Sequence, residues 1–238
     1  MRASKLVIVT GATSGIGAAV AQAFAAAGDR LFLIGRNERR LASAAGRIPT
    51  RRLAGTAIAD LGSVADIRRL LSVLSSELTR VHVLVHAAGE YAWTKAGSVE
   101  TETFDLLFNV NVRGPYLLTQ GLMRLLQRGR GQVIFLNSSI VQGRGEGAAA
   151  FKATQHAVQG LVDSLRHDFN RRGIRVSSLF PGRTATPRMR RIYVREGRRY
   201  SPRLLLRARD VARLVVALSE LSARVEVTNV QLRSLTPY

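Results

Sequence analysis

The chain has 238 residues, 46 % of them hydrophobic and none of them cysteine, and its 36 Lys and Arg against 16 Asp and Glu give a formal charge of +20. That length and apolar content suffice for one large core, so a single domain over 1–238 is expected. The lack of cysteine excludes a disulfide framework and a thiolate metal site, and no metal centre is expected. No apolar run of signal-peptide or membrane-span length precedes the first strand, which makes a soluble, cytoplasmic protein without a membrane span the expectation.

In chain order, β-rich runs at Lys5 to Thr10, Leu31 to Gly35, Gly55 to Ala59, Val81 to His86, Gln132 to Asn137, Ile174 to Phe180 and Val225 to Val230 alternate with helical patterns. The helix candidates lie near 15–27, 37–46, 62–79, 102–127, 148–171 and 208–222. Most of the strand runs are apolar throughout, as strands covered on both faces are. The alternation predicts an α/β fold, a Rossmann-like doubly wound parallel sheet of about seven strands flanked by helices, with ligands at the carboxyl ends of the strands.

The first strand runs into Thr10-Gly11-Ala12-Thr13-Ser14-Gly15-Ile16-Gly17 and an Ala-rich helix. Gly11 permits a tight turn, Gly15 lets backbone approach a pyrophosphate, and Gly17 allows close helix-to-strand packing, with the helix N-terminus facing the anion. The strand before and the helix after are the context that makes such a loop a dinucleotide site. Where NAD-binding proteins of this architecture place an acid for the ribose hydroxyls, at the end of the second strand, stands Arg36-Asn37. A guanidinium offers a planar fork to a 2′-phosphate and no acceptor to a diol, so NADP(H) is the expected cofactor.

From this TGxxxGxG spacing onward the chain resembles the short-chain dehydrogenase/reductase family, with further motifs in the same order. The resemblance assigns Asp60-Leu61 to the adenine, and His86-Ala87-Ala88-Gly89 to the Asn-Asn-Ala-Gly segment beneath the cofactor, with Ala87 and Gly89 touching it. It assigns Asn111 to the catalytic asparagine, Asn137-Ser138-Ser139 to the active-site serine, and Pro181-Gly182-Arg183-Thr184-Ala185-Thr186 to the nicotinamide segment, with Pro181, Gly182, Thr184 and Thr186 as its contacts. Ser139 matches the strand-end pattern and Ser138 the commoner spacing, so both stay as candidates.

One motif departs. The resemblance puts Phe151 in the position of the family's catalytic tyrosine and Gln155 in that of the lysine, which in the family lowers the tyrosine's pKa and holds the nicotinamide ribose. Phenylalanine has no proton to give, and glutamine can bond a ribose but brings no charge. Lys152 points about 100° away from Phe151 around the helix, and His156 likewise faces away from the pair. His86, Glu90, Tyr91 and Tyr193 fall in segments that border the family's pocket and could reach in, although a packing or surface role is the plainer reading of each.

The positive charge is nearly all arginine, since the lysines are Lys5, Lys95 and Lys152, and a compositional preference for Arg over Lys on solvated surfaces accounts for the total as readily as a functional cause. Eleven arginines between Arg183 and Arg213 are relieved only by Glu196 and Asp210. The resemblance makes 183–209 a substrate lid, expected to be loop-like, and such charge suits a small-molecule or carrier-borne anionic substrate. Nucleic acid is a poorer fit, because aromatic residues are few and no nucleic-acid module is present. Two functions follow: an NADP(H)-dependent oxidoreductase with a degenerate site, on a substrate needing little acid or base help, or a catalytically silent NADP(H)-binding homologue acting as a partner or regulatory subunit. The resemblance also implies a homo-oligomer, dimer or tetramer, or assembly with an active paralogue, through apolar positions such as Leu106, Val110, Leu117, Leu161 and Leu165.

Overall fold

The computed structural model describes residues 3–93, 97–143 and 147–235. Strands β1 (Leu6–Thr10), β2 (Arg30–Gly35), β3 (Leu53–Ile58), β4 (Val83–His86), β5 (Gln132–Leu136) and β6 (Arg175–Pro181) join a last strand, β9 (Asn229–Leu232), in one sheet. Its order is β3-β2-β1-β4-β5-β6-β9 and every pairing is parallel. The expected doubly wound seven-stranded sheet is therefore the fold. Two further short strands, β7 (Thr184–Ala185) and β8 (Leu206–Arg207), pair with each other outside it.

Helices cover both faces. One core cluster packs Ile67, Leu70 and Leu74 of α3 (Val64–Glu77), Leu118 of α5 (Gly114–Gly121), Leu125 and Leu126 of α6 (Met123–Arg128), and Val158, Val162 and Phe169 of α7 (Ala149–Asn170) against one side. The other packs Val20 and Phe24 of α1 (Gly15–Ala26), Leu41 of α2 (Glu38–Ala45), and Ala212, Val215 and Leu218 of α9 (Ala208–Glu220). Because β1 and β4 are neighbours whose connections leave to opposite faces, their carboxyl ends flank a crevice that nothing in the sheet fills.

Three expectations need correction. The stretch 102–127 is not one helix: α4 (Thr101–Phe108) passes through a π segment at Asn109–Arg113 into α5 and α6. The last strand is Asn229–Leu232 rather than Val225 to Val230, because pairing with β6 sets its register at Ser178↔Asn229. The Arg-rich stretch is not a loop throughout, since Pro187–Arg195 forms helix α8. Pro187 opens it, the Thr186 side chain caps it by accepting from the Met189 N–H, and Ile192 and Tyr193 are buried while its four arginines are exposed.

Of the apolar positions expected at an interface, Val110 and Leu165 are buried in the chain's own core, and Leu117 and Leu161 pack against it. Leu106 is exposed, as are Phe104 and Tyr116. No described helix is long and apolar enough to cross a membrane.

Candidate functional site

The crevice is a cleft of about 1370 Å³. That exceeds the roughly 300–1,000 Å³ of a single small-ligand pocket, as a dinucleotide with a substrate beside it requires. Gly11, Thr13, Ser14, Gly15, Ile16, Gly17, Arg36, Asn37, Asp60, Leu61, Ala87, Gly89, Pro181, Gly182, Thr184 and Thr186 all line it, together with Asn111, Ser138, Ser139, Phe151 and Gln155. Residues chosen from eight separate stretches of sequence thus converge on one cavity.

The loop after β1 is held by close packing. Gly11 has φ +63°, and a Cβ there would lie 2.7 Å from the Ala88 backbone; a Cβ on Gly17 would lie 2.3 Å from the Gly11 carbonyl oxygen. The buried Thr10 hydroxyl accepts from the N–H groups of Ala87 and Ala88, both at 3.1 Å, and so ties β1 to the end of β4. No side chain caps α1, leaving its first-turn N–H groups to the cleft. A pyrophosphate is the group such an uncapped, glycine-lined helix start fits.

Beside the ends of β2 and β3, Asp60 accepts from the Gly62 N–H at 2.8 Å, and the Asn37 side chain caps α2 by accepting from the Arg40 N–H at 3.0 Å. Arg36 is paired: its Nη1 lies 2.5 Å from Glu90 Oε1. Sequence reasoning placed Glu90 near the pocket without finding this partner, and it did not single out Arg188, whose guanidinium donates to the Gly89 carbonyl. Arg188 is exposed as a residue, yet its guanidinium is turned to that carbonyl. Desolvation lowers its pKa from the ordinary value, with Glu90 opposing and Arg191 and Arg36 adding to the fall.

The π segment turns Asn111 inward, where its amide is fully used. Oδ1 accepts from the Glu90 N–H at 2.7 Å, and Nδ2 donates to the Glu90 carbonyl at 3.0 Å and to the Thr154 hydroxyl at 3.1 Å. Thr154 in turn donates to the Phe151 carbonyl, and the Gln155 amide donates to Thr154 at 3.3 Å. Asn137 reaches across from the end of β5 to the Gln155 carbonyl. Ser138 caps the short turn that follows by accepting from the Ile140 N–H, and Ser139 lines the cleft beside it.

The cleft's described lining contains no lysine and a single tyrosine, Tyr91, whose ring stands edge-on to Phe151. Burial raises the Tyr91 pKa, Glu196 adds to the rise, and Arg183 and Arg195 oppose it. Lys152 points outward to the Gly143 carbonyl, as its place on the helix predicts. Tyr193 is not among the lining residues; it is buried under the guanidiniums of Arg183 and Arg198. His86 is buried against Phe135 with Nε2 2.7 Å from the Thr119 hydroxyl, and desolvation pushes its pKa down to about 3. It borders the cleft as a neutral imidazole, with no imidazolium to act as an acid at neutral pH.

From the Arg-rich segment, Arg183, Arg188, Arg191 and Arg198 line the cleft. Arg183 is engaged with Glu196 through two bonds of 2.7 and 2.8 Å. Among the described residues there is no cluster suited to a metal ion.

Residues 5–196 match the family model described as short chain dehydrogenase. An uncharacterized oxidoreductase of Staphylococcus epidermidis is 30 % identical over 230 residues, covering 96 % of both chains. Sulfoacetaldehyde reductase 2 of Chromohalobacter salexigens is 31 % identical, covering 96 % of this chain and 93 % of that one. Among solved structures, a short chain dehydrogenase of Escherichia coli complexed with NADPH superposes with a TM-score of 0.87 at 26 % identity, covering 95 % of each chain.

Proposed function

The chain belongs to the short chain dehydrogenase family, and we propose that it is an NADP(H)-dependent oxidoreductase whose site is degenerate at Phe151 and Gln155. The observation that carries this reading is the pairing of an intact dinucleotide cradle with a cleft whose described lining has no lysine and no tyrosine on α7. The uncapped start of α1 and the glycine loop would hold the pyrophosphate, Arg36 the 2′-phosphate, and Pro181, Gly182, Thr184 and Thr186 the nicotinamide end. Ser138 and Ser139 would face the substrate, and Asn111, its amide committed to Glu90 and Thr154, would hold the cleft wall beside them.

When bound, the cofactor supplies or accepts a hydride. The chain's own contribution is to hold the substrate carbon against it and to exclude water, a positioning effect separate from proton transfer. A well-placed acid or base contributes about 10²–10⁴-fold, roughly 3–5 kcal/mol of barrier, and residues 151 and 155 offer none of it. The natural substrate is therefore one whose reduction asks little of those two positions. Arg188, Arg191 and Arg198 favour an anionic or carrier-borne substrate, and the relative named for sulfoacetaldehyde accepts, by its name, a sulfonate-bearing aldehyde.

A second reading, a catalytically silent NADP(H)-binding partner of an active paralogue, draws on the same missing lysine and tyrosine. Calorimetric titration with NADPH followed by transfer of deuteride from labelled NADPH to a panel of anionic aldehydes, ketones and activated alkenes separates the two. Binding with transfer to at least one substrate class supports the oxidoreductase. Binding without transfer to any supports the silent partner, and absence of binding defeats both.

A further inference from the structure

The end of β2 carries no acid, yet an acid stands there. Glu90 arrives from the loop after β4, and its carboxylate lies 2.5 Å from the Arg36 guanidinium. Its backbone is fixed on both sides, by the two bonds to Asn111 and by the Arg188 bond to the neighbouring Gly89 carbonyl. The carboxylate is thus aimed, and its side chain is 23 % exposed against 61 % for Arg36, so the acid is the more enclosed partner. Asn37, the residue next to Arg36, has its side-chain oxygen committed to capping α2.

We infer that Glu90 is a determinant of cofactor choice: it acts as a built-in counterion that a 2′-phosphate must displace from Arg36, and it offers the ribose hydroxyls of NAD(H) the acceptor that β2 lacks. The inference rests on the dinucleotide reading above and deepens it. A phosphate monoester brings about two negative charges, which Arg36 attracts and Glu90 repels at close range. A diol brings two donors, which a carboxylate accepts and a guanidinium cannot. Glu90 and Arg36 therefore pull the preference in opposite directions, and the ion pair sets how far NADPH is favoured over NADH.

The test is calorimetric titration of the full chain with NADPH and with NADH, comparing the natural protein with Glu90→Gln and Arg36→Gln. Glutamine keeps the shape and leaves the backbone bonds to Asn111 untouched. Glu90→Gln is expected to tighten NADPH about tenfold, to leave NADH unchanged or weaker, and so to shift the ratio of the two dissociation constants about tenfold or more toward NADPH. Arg36→Gln is expected to shift it the other way. A ratio in Glu90→Gln that stays within twofold of the natural protein, or that moves toward NADH, overturns the inference while leaving dinucleotide binding intact. Failure of the natural protein and both variants to bind either dinucleotide overturns the cofactor reading, and this inference with it.

Discussion

Tyr91 meets Phe151 edge-on, with ring centroids 5.0 Å apart and planes at 69°, so the cleft's one described tyrosine packs against the first turn of α7 rather than projecting from it. Its raised pKa, set first by burial, keeps this phenol protonated through neutral pH. Nothing in the cleft's described lining plays the part of an ammonium beside it.

Installing Phe151→Tyr with Gln155→Lys is accordingly expected to raise turnover of simple ketones about 10²–10⁴-fold, the usual contribution of a positioned acid. Phe151→Tyr alone should gain less, because a phenol without a nearby cation keeps its pKa near about 10. Steady-state kinetics over pH 6–10 check this. An inflection on the acid side of the ordinary phenol pKa should appear in the double variant and be absent from the natural protein. Brisk ketone reduction by the natural protein would count against the reading, since another group would then already supply the proton.

The glycine loop has no room for a methyl group at its tightest point. A Cβ on Gly17 would sit 2.3 Å from the Gly11 carbonyl oxygen, and forced overpacking costs about 1–3 kcal/mol. Gly17→Ala should lower stability by that amount and abolish calorimetric NADPH binding, because α1 must retreat from the turn that presents its N–H groups. Unchanged stability and binding would contradict the close approach.

His86 makes stability depend on pH in a defined direction. Its pKa in the folded chain is about 3, against about 6.5 when unfolded, so between those values the unfolded state binds the extra proton. The native state is therefore at no disadvantage above pH 7 and loses up to about 1.4 kcal/mol per pH unit as pH falls below 6.5. His82, also lowered by burial first and then by Arg80 and Lys5, acts in the same direction. Urea unfolding of the natural protein and of His86→Asn at pH 7, 6, 5 and 4 isolates the His86 share: the variant should show the shallower fall. Parallel curves would refute it.

Arg183 and Glu196 tie the start of the Arg-rich segment to the end of α8, with side chains 24 % and 16 % exposed. Because both still touch solvent, Glu196→Gln should cost about 1–2 kcal/mol, below the 3–5 kcal/mol of a fully buried pair. Hydrogen exchange over residues 187–198 should accelerate while that of β1 and β4 stays constant. Equal protection in variant and natural protein would show that Ile192, Tyr193 and the stacking of Arg183 over Tyr193 hold the segment unaided.

What could be read without coordinates was what depends on neighbours in the chain. Apolar runs marked the strands, the glycines of residues 11–17 marked the turn, and the alternation of such runs with helical patterns marked the parallel sheet, because each reflects local backbone preference or burial on both faces. The break in the helix over 102–127 coincides with Gly114-Pro115, a breaker the sequence carries, since proline lacks the N–H that would bond the residue four before it. What chain order does not record is the close approach there, where a Cβ on Gly114 would lie 2.2 Å from the Leu61 carbonyl oxygen. Helix α8 was hidden for a related reason, since its buried stripe is short and the residues around it are arginines. The pairing of Arg36 with Glu90 was the least accessible of all. The motif at the end of β2 announced a free cation, and only the sheet order β2-β1-β4 brings an acid from the far side of β1 to meet it. Chain order governs backbone preference, whereas charges act through space, and the side chains that face one another across this cleft were decided by the tertiary fold.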